Sequence, residues 1–439
     1  MLSLFRKVNP LVEMANASHM RKAKADKWLN YYADQQSEET ARLIERRFGN
    51  SKAFRIFQVN VVKKIVNKRA NLYRLAPRRM FDGIDQIAGD GFYRSCNADV
   101  VLKRASRLTK LLKSCALQVG YENDAPTLNI ITPNILDVVA TDPSNPTEYL
   151  ITHQASKPER VTYSHWTAHT YRRLDYRGQP IPIAGNPDGI NPYGILPFIP
   201  LHDTLPDDQF FIRGGDDLIE AQEAINVGLT NLWQSVELQA HGQPWVTGAT
   251  GSKPLELGIT EGPAFGPNRM IYLPENGQMG YAAPNSPIAD ILEAIQFVAR
   301  LLSATNDLSA DVLDLDRRSE SGAAKHVEQI DLREARQDDI ALWRTYEARL
   351  FNVLRAVINT HAPGSIPQSA KLSVDFAEMQ ESLSETERLT NARTKFELGV
   401  WSPVDVLRSE NPDGYATRDD AMRELLRRKD EAAQIVIPD

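Results

Sequence analysis

The chain has 439 residues, 42% hydrophobic and 25% charged, with 51 Lys plus Arg against 57 Asp plus Glu and a formal net charge of −6. Those values describe a soluble globular protein of roughly two to four domains. No apolar run approaches the roughly 20 residues of a membrane helix, and Phe5-Arg6-Lys7-Val8-Asn9-Pro10 lacks the apolar stretch of a signal peptide, so membrane spanning and secretion are not expected.

Two cysteines, Cys96 and Cys115, in so long a chain argue for a reducing compartment and structural thiols rather than a disulfide framework. The net charge conceals a division. Residues 1–120 hold 24 basic and 10 acidic side chains, +14, whereas the remaining 319 hold 27 and 47, −20. A surface of two electrostatic characters is the expectation.

The first 120 residues read as helical. Lys24 to Tyr32 and Ser37 to Phe48 are amphipathic, the second with Ser37 as N-cap and Glu38 and Glu39 in its first turn. A longer helix is expected from about Val59 to Leu75, stopped by Pro77, and a third from Ala98 to Gly120. On the third, Leu102, Leu108, Leu111, Leu112 and Ala116 form one side and Lys103, Arg104, Arg107, Lys110 and Lys113 largely the other. That basic face reads either as ordinary solvation or as a contact for an acidic partner or nucleic acid.

Between Thr127 and Pro200 the pattern changes to short β-type runs, an antiparallel sheet region. Thr127 to Ile131, Ile135 to Ala140, Tyr149 to His153 and His169 to Leu174 are strand candidates, with turns at Asp142-Pro143-Ser144-Asn145-Pro146 and Tyr176-Arg177-Gly178. A Pro- and Gly-rich stretch, Gly185 to Pro206, closes the region. After Gly214-Gly215, Leu218, Ile225, Leu229, Leu232 and Val236 place one apolar seam along a helix of about 26 residues, which must pack against another helix. Residues 242–285 are rich in Gly and Pro, with Met270 to Leu273 a short strand candidate. A second helix follows from Ser286 to about Ala304. The grammar is that of a long helical hairpin with a small subdomain at its tip. Asp307 to Arg318 is an acidic segment containing Asp311, Asp314 and Asp316. A very long helix then reaches from Ser319 to about Thr360, ended by Pro363-Gly364, and the last 75 residues are mostly helical, with a capping-box spacing at Ser384 and Glu387.

Catalytic signatures fail one by one. Gly248-Ala249-Thr250-Gly251-Ser252-Lys253 has the wrong glycine spacing for a phosphate loop, and Ser252 separates the lysine from the second glycine. His165 and His169 are four apart but lie in β-type sequence without the accompanying glutamate of a zinc helix. The aspartates at 311, 314 and 316 lack the Gly and terminal Glu of a calcium loop. No nucleophile elbow or dinucleotide fingerprint occurs. The expectation is a protein that is not an enzyme and carries no cofactor or metal.

The order of segments is more specific than any single motif. The helix Asn60-Val61-Val62-Lys63-Lys64-Ile65-Val66-Asn67-Lys68-Arg69-Ala70-Asn71-Leu72-Tyr73 comes first, then Tyr193-Gly194-Ile195-Leu196-Pro197-Phe198-Ile199-Pro200-Leu201. Gly215-Asp216-Asp217-Leu218-Ile219-Glu220 opens one long helix, Ser319-Glu320-Ser321-Gly322-Ala323-Ala324 the next, and Leu398-Gly399-Val400-Trp401-Ser402-Pro403 lies near the end. Across nearly its whole length the chain resembles the portal proteins of tailed bacteriophages, especially long-tailed ones. The resemblance implies an α+β portal fold: an amino-terminal arm (1–24), a mainly helical wing with an antiparallel β region (25–214), stem helices at 215–241 and 286–304, a small α/β clip at 242–285, a tunnel loop at 305–318, a long wing helix at 319–363 and a helical crown at 364–439.

It further implies a self-assembled ring, usually of twelve subunits, at one capsid vertex of the virion, assembled in the host cytoplasm. Double-stranded DNA would pass through its channel. Terminase large subunit and the head-tail adaptor would dock on the clip, and major capsid and scaffolding protein would be further partners; no membrane is involved. On this reading Asp307, Asp311, Asp314, Asp316, Arg317 and Arg318 belong to the tunnel loop, Leu218, Ile225, Leu229, Leu232 and Val236 to the stem seam, and Trp245, Lys253 and Arg269 to the docking face of the clip. Residues 214–304 contain Lys253, Arg269 and Arg300 against ten acids, −7, which suits a conduit that must not grip DNA phosphates. The competing expectation is another oligomeric virion adaptor or scaffold-type interaction protein.

Overall fold

A computed structural model of the chain describes residues 9–240, 243–246, 278–282, 287–309, 313, 330–376, 385–411, 415 and 417–434. They divide into two compact units, Met1–Arg317 with Gln329–Ala377, and Arg318–Glu328 with Glu378–Asp439. The fold is mixed helix and sheet, compatible with α+β, and every strand pairing among the described residues is antiparallel.

The first unit begins with α1 (Pro10–Ala17), α2 (His19–Tyr32) and α3 (Ser37–Phe48). Helix α1 packs Val12 and Ala15 against Leu150, Tyr163 and Leu174, so residues within the expected arm are part of a small core. Ser37 is the first helical residue rather than the cap: Gln36 precedes the helix, and the Ser37 hydroxyl donates to Gln58 Oε1 at 2.9 Å. The expected helix from Val59 to Leu75 is shorter, α4 (Val61–Arg69), followed by a 3-10 turn at Leu72–Arg74. Asn60 sets its start by accepting the Lys63 N–H. Strand β1 (Arg78–Asp82) and helix α5 (Gln86–Ser95) precede α6 (Ala98–Leu112).

The expected continuation of α6 to Gly120 is overturned. Lys113 takes a left-handed conformation (φ 66°) that ends the helix, and Ser114–Glu122 is strand β2. The apolar positions here have a helical spacing, yet they serve a strand covered on both faces, where alternation is lost. Strand β2 lies between β3 (Ala125–Ile131) and β9 (Phe198–His202). Its Cys115, Leu117 and Val119 enter the main helical core, while Ala116 enters a second core with Phe198, Tyr149 and Trp166. This three-stranded sheet is thus a wall between two cores. Both cysteines are free and buried, and burial pushes the thiol pKa up to about 11 for Cys96 and about 12 for Cys115, as structural thiols require.

Beyond the wall, a meander of β4 (Leu136–Val139), β5 (Glu148–His153), β6 (Thr162–Trp166), β7 (Tyr171–Leu174) and β8 (Pro180–Ile181) pairs in chain order. The turn at Asp142 closes on Asn145, and Gly178 turns at φ 78°. His165 lies on β6, where its ring meets Glu148 at 2.6 Å across the sheet.

Helices α7 (Asp216–Ala240) and α8 (Ile288–Ala304) form the hairpin, and strands β10 (Gln243–Val246) and β11 (Met279–Ala282) pair near its tip. Helix α9 (Ile330–His361) carries Trp343, Tyr346, Leu350, Leu354 and Val357 into the main core. Strand β12 (Lys371–Asp375) then returns to pair with β1, in register Arg79↔Val374, so the stretch after Pro363-Gly364 starts as sheet rather than helix. The expected helical segment at 319–329 and the Ser384 cap lie outside the described residues.

The second unit holds α10 (Glu385–Glu397), α11 (Pro403–Glu410) and α12 (Arg418–Gln434). Ser402 and Asp405 form a capping box, Thr417 and Asp420 bond reciprocally in the same way, and Val404, Leu407 and Ala421 make its small core.

Candidate channel hairpin

Part of the charge division is settled inside the fold. Lys110 lies at 2.7 Å from both Asp203 and Asp339, and Lys113 at 2.8 Å from Asp203. Arg21 and Lys22 both pair with Asp137 at 2.5 Å, and Arg79 pairs with the buried Glu347 at 2.8 Å. Burial works against the Asp203 carboxylate, but Lys113 and Lys110 outweigh it and hold its pKa below the ordinary value. Asp339 lies above the ordinary value, burial being dominant there. Some basic residues of the amino-terminal third therefore neutralise acids of the rest of the chain, while others, such as Arg46, Arg47, Lys52, Lys63 and Arg74, are exposed and keep that end of the surface basic. Lys110 on α6 and Lys113 just past its end are structural ion-pair members, while Arg104 is exposed.

Helix α7 is about 37 Å long at 1.5 Å per residue. Its seam is buried at the base, with Leu218 8% and Ile225 3% exposed, half-buried at Leu229 and Leu232, and open at Val236, 39% exposed. Opposite lies α8, with Ile291, Ile295 and Val298 half-buried and Leu302 buried. The helices meet closely at Gly228: a Cβ there would stand 2.9 Å from Ile295 Cγ1.

A second stripe on α7, one the apolar pattern missed, fixes the hairpin to the rest of the unit. Gln222, Asn226 and Thr230 are all buried and lie four residues apart. Gln222 Oε1 accepts the Val61 and Val62 N–H groups at 2.7 and 3.1 Å, and its amide donates to Val59 O at 2.7 Å. Asn226 accepts the Val59 N–H at 3.3 Å and donates to Gln36 Oε1 at 3.0 Å, while Thr230 accepts the Phe57 N–H at 3.1 Å. The side chains thus serve residues 57–62 as a strand partner would. Gln222 also caps α4, whose first N–H groups have no partner within their own helix. The sequence signal was available as Gln-x3-Asn-x3-Thr within an otherwise apolar helix.

Charge pins the base as well. Lys27 pairs with Glu223 at 2.5 Å, Tyr31 donates to Glu223 at 2.9 Å, and Lys24 pairs with Asp216 at 2.7 Å. Burial, reinforced by Glu223, raises the Tyr31 pKa, so the phenol keeps its proton and the bond. Two of the ten acids counted for the stem and clip are therefore spent locally, whereas Asp217, Glu220, Asp290 and Glu293 are exposed. At the far end of α8, Asp307 takes φ 56°, and Arg69 reaches Asn306 Oδ1 at 3.2 Å and Asp307 Oδ2 at 3.3 Å. Arg69 thereby anchors the start of the expected tunnel loop.

Of the expected site residues, the structure brings Leu218, Ile225, Leu229, Leu232 and Val236 onto one helix and places Asp307 against Arg69. Trp245 lies in β10 opposite Gly280. Asp311, Asp314, Asp316, Arg317, Arg318, Lys253 and Arg269 lie outside the described residues. Among the described residues no helix is long and apolar enough to cross a membrane, and no group of three or more His, Cys, Asp and Glu could hold a metal ion.

No family model matches the chain, and no curated protein matches it. Solved structures do show similarity. A chain from the neck of an empty gene transfer agent (GTA) particle with C6 symmetry is 13% identical at a TM-score of 0.47, the alignment covering 82% of this chain and 93% of that one. A chain from the neck of the native particle with C12 symmetry is 13% identical at a TM-score of 0.44, covering 84% and 92%. A chain from the virion of the native particle is 14% identical at a TM-score of 0.44, covering 83% and 91%.

Proposed function

We propose that the chain is the subunit of a phage-type portal ring at one vertex of a virion capsid, and that its hairpin contributes to a channel through which double-stranded DNA is packaged and ejected. The observation that carries this reading is the hairpin: anchored at its base by the polar stripe and ion pairs, it leaves apolar side chains exposed along both helices, Val236 on α7 and Leu292, Phe297 and Leu301 on α8. Apolar surface arranged along two helices in this way suits neighbours that complete the packing, and a head-to-tail contact of this kind closes into a ring under rotational symmetry.

The exposed acids of the hairpin fit a conduit. DNA presents one negative charge per about 1.7 Å of axis, and affinity rises with each phosphate neutralised, so an acidic wall keeps the duplex mobile. On this reading the chain performs no catalysis: terminase large subunit supplies ATP hydrolysis and docks with the head-tail adaptor at the clip, and capsid and scaffolding proteins meet the wing during assembly in the host cytoplasm. Mass photometry and negative-stain images of the purified chain are the test. Annular particles of roughly twelve 49.3 kDa subunits are expected, and a chain that stays monomeric at micromolar concentration refutes the reading. The channel assignment has its own test: replacing Asp311, Asp314 and Asp316 by Lys should impair DNA packaging or retention, and unchanged values exclude that acidic segment from the DNA path.

A further inference from the structure

The outer surfaces of the two stem helices differ in chemistry. On α8, the stripe turned away from α7 carries Asp290, Glu293 and Phe297, all exposed, Phe297 at 65%. On the α7 side, Trp233 stacks with Phe57, ring centroids 6.2 Å apart, and the exposed Arg55 guanidinium lies 5.4 Å from the Trp233 ring. The α8 stripe is acidic toward the tip and continues to the exposed Arg300 toward the base, while the aromatic surface carries Arg55 and, on its tip side, Glu237, which accepts the Trp233 indole N–H at 2.9 Å.

The two carboxylates of the stripe agree in height with the aromatic surface, and Phe297 lies just below them toward the base. Gly228 and Ile295 are level, since they touch. Trp233 lies five residues from Gly228 toward the tip, and Asp290 lies five residues from Ile295 in the same direction, each about 7.5 Å at 1.5 Å per residue. Thr230, which holds the Phe57 backbone, is two residues along, as is Glu293. In any ring whose axis runs along the hairpin, equal heights face each other across the subunit boundary.

We infer that a second copy of this chain seats the Asp290–Glu293–Phe297 stripe of its α8 on the Phe57–Trp233 surface, with Arg55 placed between the two carboxylates. This rests on the ring reading and specifies the joint. The aromatic pair supplies the desolvated centre, and the charges at its edge favour this direction, because Asp290 and Glu293 then meet Arg55. A contact of this kind is heterologous: each subunit presents one stripe to each neighbour.

The test is a charge swap in the full-length chain, read by mass photometry across a concentration series. Arg55→Glu alone, and Asp290→Lys with Glu293→Lys, should each raise the concentration at half-assembly about tenfold, since like charges then meet. The three substitutions together should return it to within about threefold of the unmodified chain. Assembly of Arg55→Glu indistinguishable from the unmodified chain, or a combined variant as weak as its weaker parent, overturns the joint while leaving the ring reading in place. An unmodified chain that never assembles overturns both. A second measurement is independent of charge. Arg55→Cys with Asp290→Cys should give a ladder of oxidised multimers, the native Cys96 and Cys115 being buried. A single crosslinked dimer band instead indicates two-fold pairing and overturns the joint.

Discussion

Gln222→Met tests whether the polar stripe, rather than the apolar seam, holds the hairpin to the rest of the first unit. Methionine keeps the length of the side chain and removes its polar atoms. The Val61 and Val62 N–H groups then lose their partner at once, while the Val59 carbonyl keeps the Gln36 amide as donor at 3.1 Å. A buried orphan costs about 1–3 kcal/mol. Val62 is buried and Val61 half-buried, so the two N–H groups together cost about 2–5 kcal/mol. That is a large part of the roughly 5–15 kcal/mol by which domains are stable.

Gln222→Glu separates the acceptor and donor roles. Its carboxylate still accepts two N–H groups at a helix amino terminus, where negative charge is favoured, but it cannot donate to Val59 O. It should therefore lose about half as much as methionine. Urea denaturation gives the loss, and hydrogen exchange at Val61 and Val62 locates it. A Gln222→Met loss below about 1 kcal/mol, or exchange rates at those two amides that do not change, refutes the account of α4 capped from α7.

Three further outcomes are expected. Lys110→Met leaves Asp203 and Asp339 facing each other without their shared cation and should cost about 3–5 kcal/mol in thermal or urea unfolding, whereas Arg42→Ala, which removes an exposed pair within α3, should change stability by less than about 1 kcal/mol. Buried His202, its ring against the Phe210 carbonyl at 3.0 Å, has its pKa lowered to about 4, chiefly by burial. The unfolded chain then binds the extra proton first. Stability from this group is present above about pH 6.5 and lost as pH falls toward 4, by about 3 kcal/mol, and His202→Gln should flatten that part of the stability-pH curve. Gly228→Ala should gain more stability in an Ile295→Ala background than in the unmodified chain, with a coupling of about 1 kcal/mol by double-mutant cycle, because the close approach to Ile295 offsets alanine's helix propensity.

The hairpin was the most legible element because its seam repeats over many turns: α7 was expected over about 26 residues and spans 25. The α6–β2 boundary was the least. Between Leu111 and Val119 there is no Gly, Pro, Asn or Asp to mark a stop, and the break comes from the backbone of Lys113, a residue with no compositional mark of a turn. Strands β1 and β12 escaped for another reason. Arg78-Arg79-Met80-Phe81-Asp82 carries three charges in five residues, and its strand character comes from a partner nearly three hundred residues away. The site was legible in its apolar half only. Gln222, Asn226 and Thr230 escape notice because side chains that satisfy backbone groups of a distant segment leave no local periodicity beyond their own spacing of four.

The pairing of β1 with β12 also bears on how the chain is made. About 290 residues separate the two strands, so at a ribosomal rate of roughly 5–20 residues per second β1 waits some 15–60 s for its partner. Its neighbours mature sooner, since α5 and α6 follow directly. Throughout that interval β1 is an unpaired edge on a nascent chain, beside other copies being translated from the same message. Arg78, Arg79 and Asp82 are what such an edge needs against premature pairing. Arg79 finds Glu347 only when α9 is complete, so the ion pair that stabilises the finished fold begins as the charge that keeps the unfinished one apart.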